Sequence, residues 1–336
     1  LIYQVADNGR LYQKYLGKKL NHDSDIQYLP QGTEAYLTHG MEDYFEPAIH
    51  IRHNDNNSSL LLKYVDHSSN AISNGVNETV ITLKDDKYPV TVKLHYVAYG
   101  KENIIRAFSE ISHEEKKPVI LCKYASSMLH LNSSKYFLTE FSGDWAHEAN
   151  VTERELAFGK KVIDTKLGAR ANMFVSPFFQ LALDNPSQEN AGEVLVGTIG
   201  WTGNFRFTFE VDNKNELRII SGINPYDSEY SLPAKEVFRT PDFYFTYSTQ
   251  GKGEASRNFH DWARNHQVKN GNDTRMTLLN NWESTYFDFD ENKLIGLMDE
   301  ATKLGVDMFL LDDGWFANKY PRSSDHQGLG DWEETA

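Results

Sequence analysis

The sequence predicts a mainly β N-terminal sandwich over residues 1–250, a linker helix and junction over 251–275, and the opening β-α-β unit of a β/α barrel over 276–336. Three observations predict it. Short strand-like runs, punctuated by turn residues and lacking helical period, fill the first 250 positions. A helical run begins near residue 251. Residues 276–336 then read as an apolar run, an amphipathic helix and a second apolar run, the order of a parallel crossover with right-handed connection.

Residues 90–96 alternate apolar and polar, as a strand with one buried face should. Residues 103–111 do so less cleanly. Further strands are expected at 193–199, 205–211, 217–220 and 244–248. Asn74-Gly75, Asp184-Asn185-Pro186, Thr202-Gly203-Asn204 and Asn224-Pro225 are turn signals between them. Leu1 to Ala6 already reads as a strand and lacks an initiating Met, so the chain is expected to be trimmed there. No repeat or low-complexity linker appears.

In 253–266, Phe259, Trp262 and Ala263 fall at i, i+3 and i+4 of a helix, and the polar run 269–273 marks the junction. Residues 276–282 are expected as a strand. Asp288 followed by Glu291 resembles a capping box with Asp288 as the cap. Leu294, Leu297, Met298, Ala301 and Leu304 recur at helical spacing, and Gly305 suits the residue after the last turn. The apolar run 306–311 is expected as a strand buried on both faces.

A length of 336 residues suggests two domains, and 40% hydrophobic with 13% aromatic residues permits a large core. The net charge of −14 argues against nucleic-acid binding and against an anionic membrane surface. No stretch approaches the ~20 apolar residues of a membrane span. The single cysteine, Cys122, excludes an intrachain disulfide and a Cys-type zinc site, and its apolar surroundings predict a buried structural thiol. The Asn-x-Ser/Thr triplets are read as unglycosylated. Twelve His are scattered without helical metal-site spacing, and neither EF-hand spacing nor a phosphate-binding glycine loop occurs. No metal and no cofactor is expected. Asp66 and His67 lack a nucleophile elbow and are read as loop residues.

In a β/α barrel the C-terminal strand ends carry the chemistry. Asn280, Asn281, Trp282 and Glu283 follow the first expected strand. Asp312, Asp313, Gly314 and Trp315 follow the second, with Gly330, Asp331 and Trp332 beyond. Adjacent carboxylates raise one another's pKa and need donors. Sugar hydroxyls are suitable donors, and Trp supplies an apolar face for a pyranose. A plainer reading stands beside this one. It makes Asp312 a helix cap, Asp313 and Glu283 solvated charges, and Trp282, Trp315 and Trp332 packing residues. Asp312 and Asp313 are not read as nucleophile and acid, because such a pair must flank the scissile bond.

Asn280-Asn281-Trp282-Glu283-Ser284-Thr285-Tyr286-Phe287-Asp288-Phe289, Leu310-Leu311-Asp312-Asp313-Gly314-Trp315-Phe316 and Gly328-Leu329-Gly330-Asp331-Trp332 resemble glycoside hydrolase family 36, the large bacterial α-galactosidases. Gly200-Trp201-Thr202-Gly203-Asn204-Phe205, the run from Ser256 to Arg264 and the acidic-aromatic loop from Gly40 to Ala48 fit as well, so the resemblance spans almost the whole chain. It implies an N-terminal β-supersandwich before a (β/α)8 TIM barrel, and retaining hydrolysis of terminal α-galactosides such as melibiose and raffinose. It implies that Asp312 and Asp313 bind the galactose 4- and 6-hydroxyls, that Trp332 packs on the sugar, and that Trp282 lies on the aglycone side. Trp315 belongs to the same motif. It further implies a tetramer in which Asp43 reaches a neighbour's site. The protein is expected to be cytoplasmic. The family's nucleophile and acid/base match no residue up to Ala336. The chain is therefore expected to be truncated and inactive alone, with a native polypeptide that continues and pairs the open strand edges. The alternatives are an α-N-acetylgalactosaminidase or galactosyl transferase of the same family, or a non-catalytic carbohydrate-binding or assembly module.

Overall fold

A computed structural model describes residues 1–40, 45–186 and 188–335. The chain divides into two compact units, Leu1–Val268 and Lys269–Ala336.

Among the described residues, the first unit is built on two large antiparallel sheets. The ten-stranded sheet runs from Asn150–Glu155 at one edge through Tyr136–Ser142, Val175–Leu183, Glu193–Gly200, Asp242–Ser248, Ile104–His113, Val90–Tyr99 and Val76–Asp85 to Leu62–Ser73, with Val237–Arg239 added beside Ile104–His113. The six-stranded sheet orders Gly159–Asp164, Phe205–Val211, Glu216–Ile223, Val119–Asn132 and Tyr230–Leu232, with Ile49–Arg52 also on Val119–Asn132. A small sheet joins Ile2–Val5, Leu11–Tyr15 and Thr33–Glu34.

Each large core cluster draws on both large sheets, as in a sandwich. One combines Val92, Leu94 and Ile111 with Leu121, Tyr124 and Met128. The other combines Phe179, Leu195, Phe243 and Phe245 with Phe205, Phe207, Phe209 and Ile219. Strand Phe205–Val211 places Phe205, Phe207, Phe209 and Val211 on one face, as the period of two requires.

All six strands expected from the alternation are present, and several extend further because the ladder continues past the alternating segment. Asn74-Gly75 closes the hairpin between Leu62–Ser73 and Val76–Asp85. Asp66 and His67, expected in a loop, lie inside this hairpin paired with Thr82 and Ile81. Both faces of the strand are wet there, so its polar sequence carries no alternation. Cys122, expected to be buried, is only half-buried on Val119–Asn132, and that burial raises its thiol pKa.

Helix α1, Gly251–Trp262, passes into a π-helical turn at Ala263–Gln267. It packs onto the ten-stranded sheet. Ala255 joins Ala182, Val194 and Val196, and the Trp262 ring lies 4.5 Å from Tyr244. The helix expected as a linker therefore has one face in the core of the first unit.

A charge cluster forms around Glu46. Glu46 accepts from the Lys123 ammonium and from Lys160 Nζ at 2.7 Å, and its backbone N–H donates to Glu210 at 2.8 Å. Burial alone would raise the Glu46 pKa, but the two lysines outweigh it and hold the carboxyl at about 2. Lys160 is raised by Glu46, whereas Lys123 is lowered by its own burial. The half-exposed Lys160 makes the less costly of the two pairs. A depressed carboxylate contributes stability that is present above its ordinary value of 4.5 and is lost as pH falls through about 2. Thermal melts of Glu46→Gln are expected to lose less stability than the parent across that acid window. Parallel acid profiles would contradict the assignment.

In the second unit, strands Leu278–Asn280 and Met308–Leu310 pair in parallel. Helices α2, Trp282–Thr285, and α3, Glu291–Lys303, lie between them in sequence. The first strand is shorter than expected, and Trp282 opens α2 instead of ending the strand. The N-cap of α3 is Asp290, not Asp288. Asp290 Oδ1 accepts from the Lys293 N–H at 2.9 Å, while Asp288 takes the Lys293 ammonium at 3.2 Å. Gly305 follows α3 with φ +77°, as expected of the residue after the last turn. Leu294 and Ala301 are buried, but Met298, Leu304, Met308 and Leu310 are exposed. The second strand is thus not covered on both faces, and no other strand among the described residues pairs with these two.

Candidate functional site

The C-terminal ends of the two parallel strands converge on one polar cluster. Asn281, fully buried, accepts the Asp312 N–H at 2.8 Å and donates to Thr285 Oγ1 at 3.0 Å. Asn280 accepts the Trp282 N–H at 2.8 Å and donates to Asp312 Oδ2 at 2.6 Å. The paired asparagines thereby lock the first strand end to the second and turn the chain into α2. Two amides suit this work because each supplies a donor and an acceptor at once.

The two carboxylates have different surroundings. Asp312 Oδ1 accepts the Asp313 N–H at 2.8 Å, and its Oδ2 accepts from Asn280. Asp313 is gripped by Arg322, with Nε on Oδ1 at 2.7 Å and Nη2 on Oδ2 at 2.6 Å. Its Oδ1 also accepts the Gly314 N–H at 2.7 Å. Hydrogen bonding to Arg322 holds the Asp313 carboxyl below the usual range. The sequence reading asked for donors to two neighbouring acids. The protein itself supplies several of them.

Gly314 has φ +89°, and a Cβ there would sit 3.1 Å from the Phe287 ring. The chain turns sharply at that point while passing against the segment that follows α2.

Trp315 meets the buried Phe316 ring edge-on at 5.3 Å, and Trp332 lies tilted on the same ring at 4.7 Å. Trp332 remains 65% exposed and Trp315 37% exposed, so both offer surface to a ligand. Trp282 is half-buried and packs edge-on against Tyr286 at 5.4 Å and Phe287 at 4.9 Å. The Arg322 guanidinium lies 5.7 Å from the Phe287 ring and 5.2 Å from the Phe316 ring. It therefore joins the support of Trp282 to the support of Trp315 and Trp332. Asp331, in the Gly-Asp-Trp motif, accepts the backbone N–H groups of Lys319 at 2.8 Å and Tyr320 at 2.9 Å. Its work is to fold the loop that carries Trp332.

The structure brings Asp312, Asp313, Trp315 and Trp332 together, with Trp282 on the adjoining turn. Asp43 lies outside the described residues. Sequence reasoning missed Arg322. It sits in an irregular loop nine residues past its partner, where no period marks it. Among the described residues there is no group of three or more His, Cys, Asp or Glu able to hold a metal ion.

Two family models cover most of the chain. "Glycosyl hydrolase family 36 N-terminal domain" matches residues 9–233, and "Melibiase" matches residues 237–336. α-Galactosidase Mel36A of Lactobacillus acidophilus is 28% identical over 369 residues, covering 99% of this chain and 50% of that protein. α-Galactosidase 2 of Hypocrea jecorina is 31% identical over 309 residues, covering 88% and 41%. A crystal structure of a variant of the α-galactosidase AgaA of Geobacillus stearothermophilus with 1-deoxygalactonojirimycin superposes with a TM-score of 0.89 at 26% identity, over 99% of this chain and 51% of that one. A second AgaA variant, in complex with raffinose, gives 0.88 at 27% identity, over 98% and 50%. The chain spans about half the length of the relatives it matches.

Proposed function

The chain belongs to glycosyl hydrolase family 36, and from that premise we propose that its protein hydrolyses terminal non-reducing α-D-galactosides of the melibiose and raffinose type with retention. This chain contributes the recognition side of the pocket. The observation that carries the reading is the strand-end cluster: an acid with acceptor capacity to spare, Asp312, beside a second acid fixed by an arginine whose neighbouring Phe316 ring also carries two exposed indoles. An ionised carboxylate can accept from two neighbouring hydroxyls at once, and an indole covers the apolar C–H face of a pyranose. Asp312 and Asp313 are assigned to the galactose 4- and 6-hydroxyls, Trp332 and Trp315 to the sugar face, and Trp282 to the aglycone side.

Known α-galactosidases align with this chain from end to end, and one of them is a raffinose complex. That supports the substrate class. A single free cysteine is in keeping with a reducing compartment, and on that basis we read the protein as cytoplasmic. The tetramer and the reach of Asp43 into a neighbouring site are carried over from the family.

The test is turnover of aryl α-galactoside, α-N-acetylgalactosaminide and α-glucoside by the polypeptide expressed from its whole reading frame. Fast hydrolysis of the galactoside alone is expected. Preference for the acetamido sugar, or no turnover of any of the three, would overturn the reading.

A further inference from the structure

We propose that Arg322 is a positioning residue that divides the labour of the carboxylate pair: it fixes Asp313 as an anion with a single acceptor position left for a hydroxyl, and leaves Asp312 as the acid with two. The proposal rests on the reading of this cluster as a sugar pocket.

The geometry separates the two acids. A carboxylate offers about four acceptor positions. On Asp313, two are taken by the guanidinium fork and a third by the Gly314 N–H. On Asp312, one is taken by the Asp313 N–H and one by the Asn280 amide, so both oxygens keep a position for a ligand. The two acids are neighbours in sequence, but only Asp312 has room for two hydroxyls.

Arg322 is built in on every side. Its Nη1 donates to the backbone oxygens of Gln327 at 2.6 Å and Asp325 at 3.2 Å. Its side chain is only 5% exposed, against 22% for Asp313. The aromatic rings of Phe287 and Phe316 flank it. Such a residue transmits position. It fixes the strand end on one side and the 325–327 turn on the other, immediately before the loop that carries Asp331 and Trp332. Lysine could supply the charge but not the planar fork or the two backbone contacts.

A mutant cycle on the polypeptide from the whole reading frame tests this, read as kcat and KM for an aryl α-galactoside across pH. Arg322→Ala is expected to lower kcat/KM by roughly 100-fold, and Arg322→Lys to recover only about a tenth of the wild-type value. Arg322 and Asp313 form one unit, so Arg322→Ala combined with Asp313→Asn should be no worse than Asp313→Asn alone, within about threefold. Combined with Asp312→Asn, the losses should multiply. The acid limb of kcat/KM should also move to higher pH in Arg322→Ala, because an Asp313 released from the guanidinium takes its proton earlier. Near-wild-type turnover by Arg322→Ala, full rescue by lysine, or multiplying losses with Asp313→Asn would overturn the proposal. An inactive wild type would overturn the functional reading instead. The Arg322 assignment would then be decided by carbon NMR titration of Asp313 in the 336-residue chain. An upward shift in Arg322→Lys supports it, and an unchanged titration refutes it.

Discussion

Asp312→Asn in the polypeptide from the whole reading frame is expected to lower kcat/KM for α-galactosides by about 10²–10⁴ while the protein remains folded. A hydrogen bond to a charged group is worth ~1.5–3 kcal/mol, and the proposed site asks Asp312 for two of them. The substitution also injures the frame of the site. One orientation of the new amide places its NH2 against the Asn280 NH2, and the other places it against the Asp313 N–H, where an acceptor is required. Asn280 cannot flip to relieve the first case without losing its bond from the Trp282 N–H. Asp288→Asn is the matched control. That carboxylate is almost fully exposed and pairs only with Lys293, so the change should leave activity within about twofold and stability within ~0.5 kcal/mol. Retention of more than a tenth of wild-type kcat/KM by Asp312→Asn would mean that the acid does not bind the sugar.

The contrast between Asp312 and Asp313 also marks the limit of what the sequence discloses. The two parallel strands were legible as short apolar runs, each followed by polar residues that include the acid pair, although the first ends at Asn280 and neither is buried on both faces. The partner of Asp313 was not, since loop geometry chooses between Arg322 and any other nearby cation. The same reason accounts for the α3 cap. The sequence pointed to Asp288, and the extended backbone at Asp290 makes that residue the cap instead. In the β unit, strands with one wet face were legible through alternation, as at Val90–Tyr99. Val119–Asn132 was not, because it borders three neighbouring strands and the core at once, and much of it is buried on both faces. Leu62–Ser73 failed for the opposite reason, with both faces in water.

Phe179→Ala should be the most damaging single change in the β unit, costing about 3–5 kcal/mol and moving the urea midpoint down by roughly 1 M. The ring is fully buried and stands edge-on to Phe207 at 5.2 Å and Phe209 at 4.9 Å, so one side chain of the ten-stranded sheet is held by two of the six-stranded sheet. Gly197, on the neighbouring strand, makes room for it, since a Cβ there would lie 2.6 Å from Phe179 Cζ and 2.8 Å from Phe243 Cζ. That contact allows a sharper test than the single mutant. Gly197→Ala alone must push two fully buried rings aside and should cost ~1–3 kcal/mol. In the Phe179→Ala background the added methyl enters the vacated space, so the two losses should fall short of their sum by about 1 kcal/mol or more. The half-exposed Phe174→Ala should stay within ~0.5 kcal/mol of the parent. Strict additivity of Gly197→Ala and Phe179→Ala would show that the glycine is not there for the ring. A loss below ~1 kcal/mol for Phe179→Ala would show that the two sheets do not depend on this aromatic cluster for their cohesion.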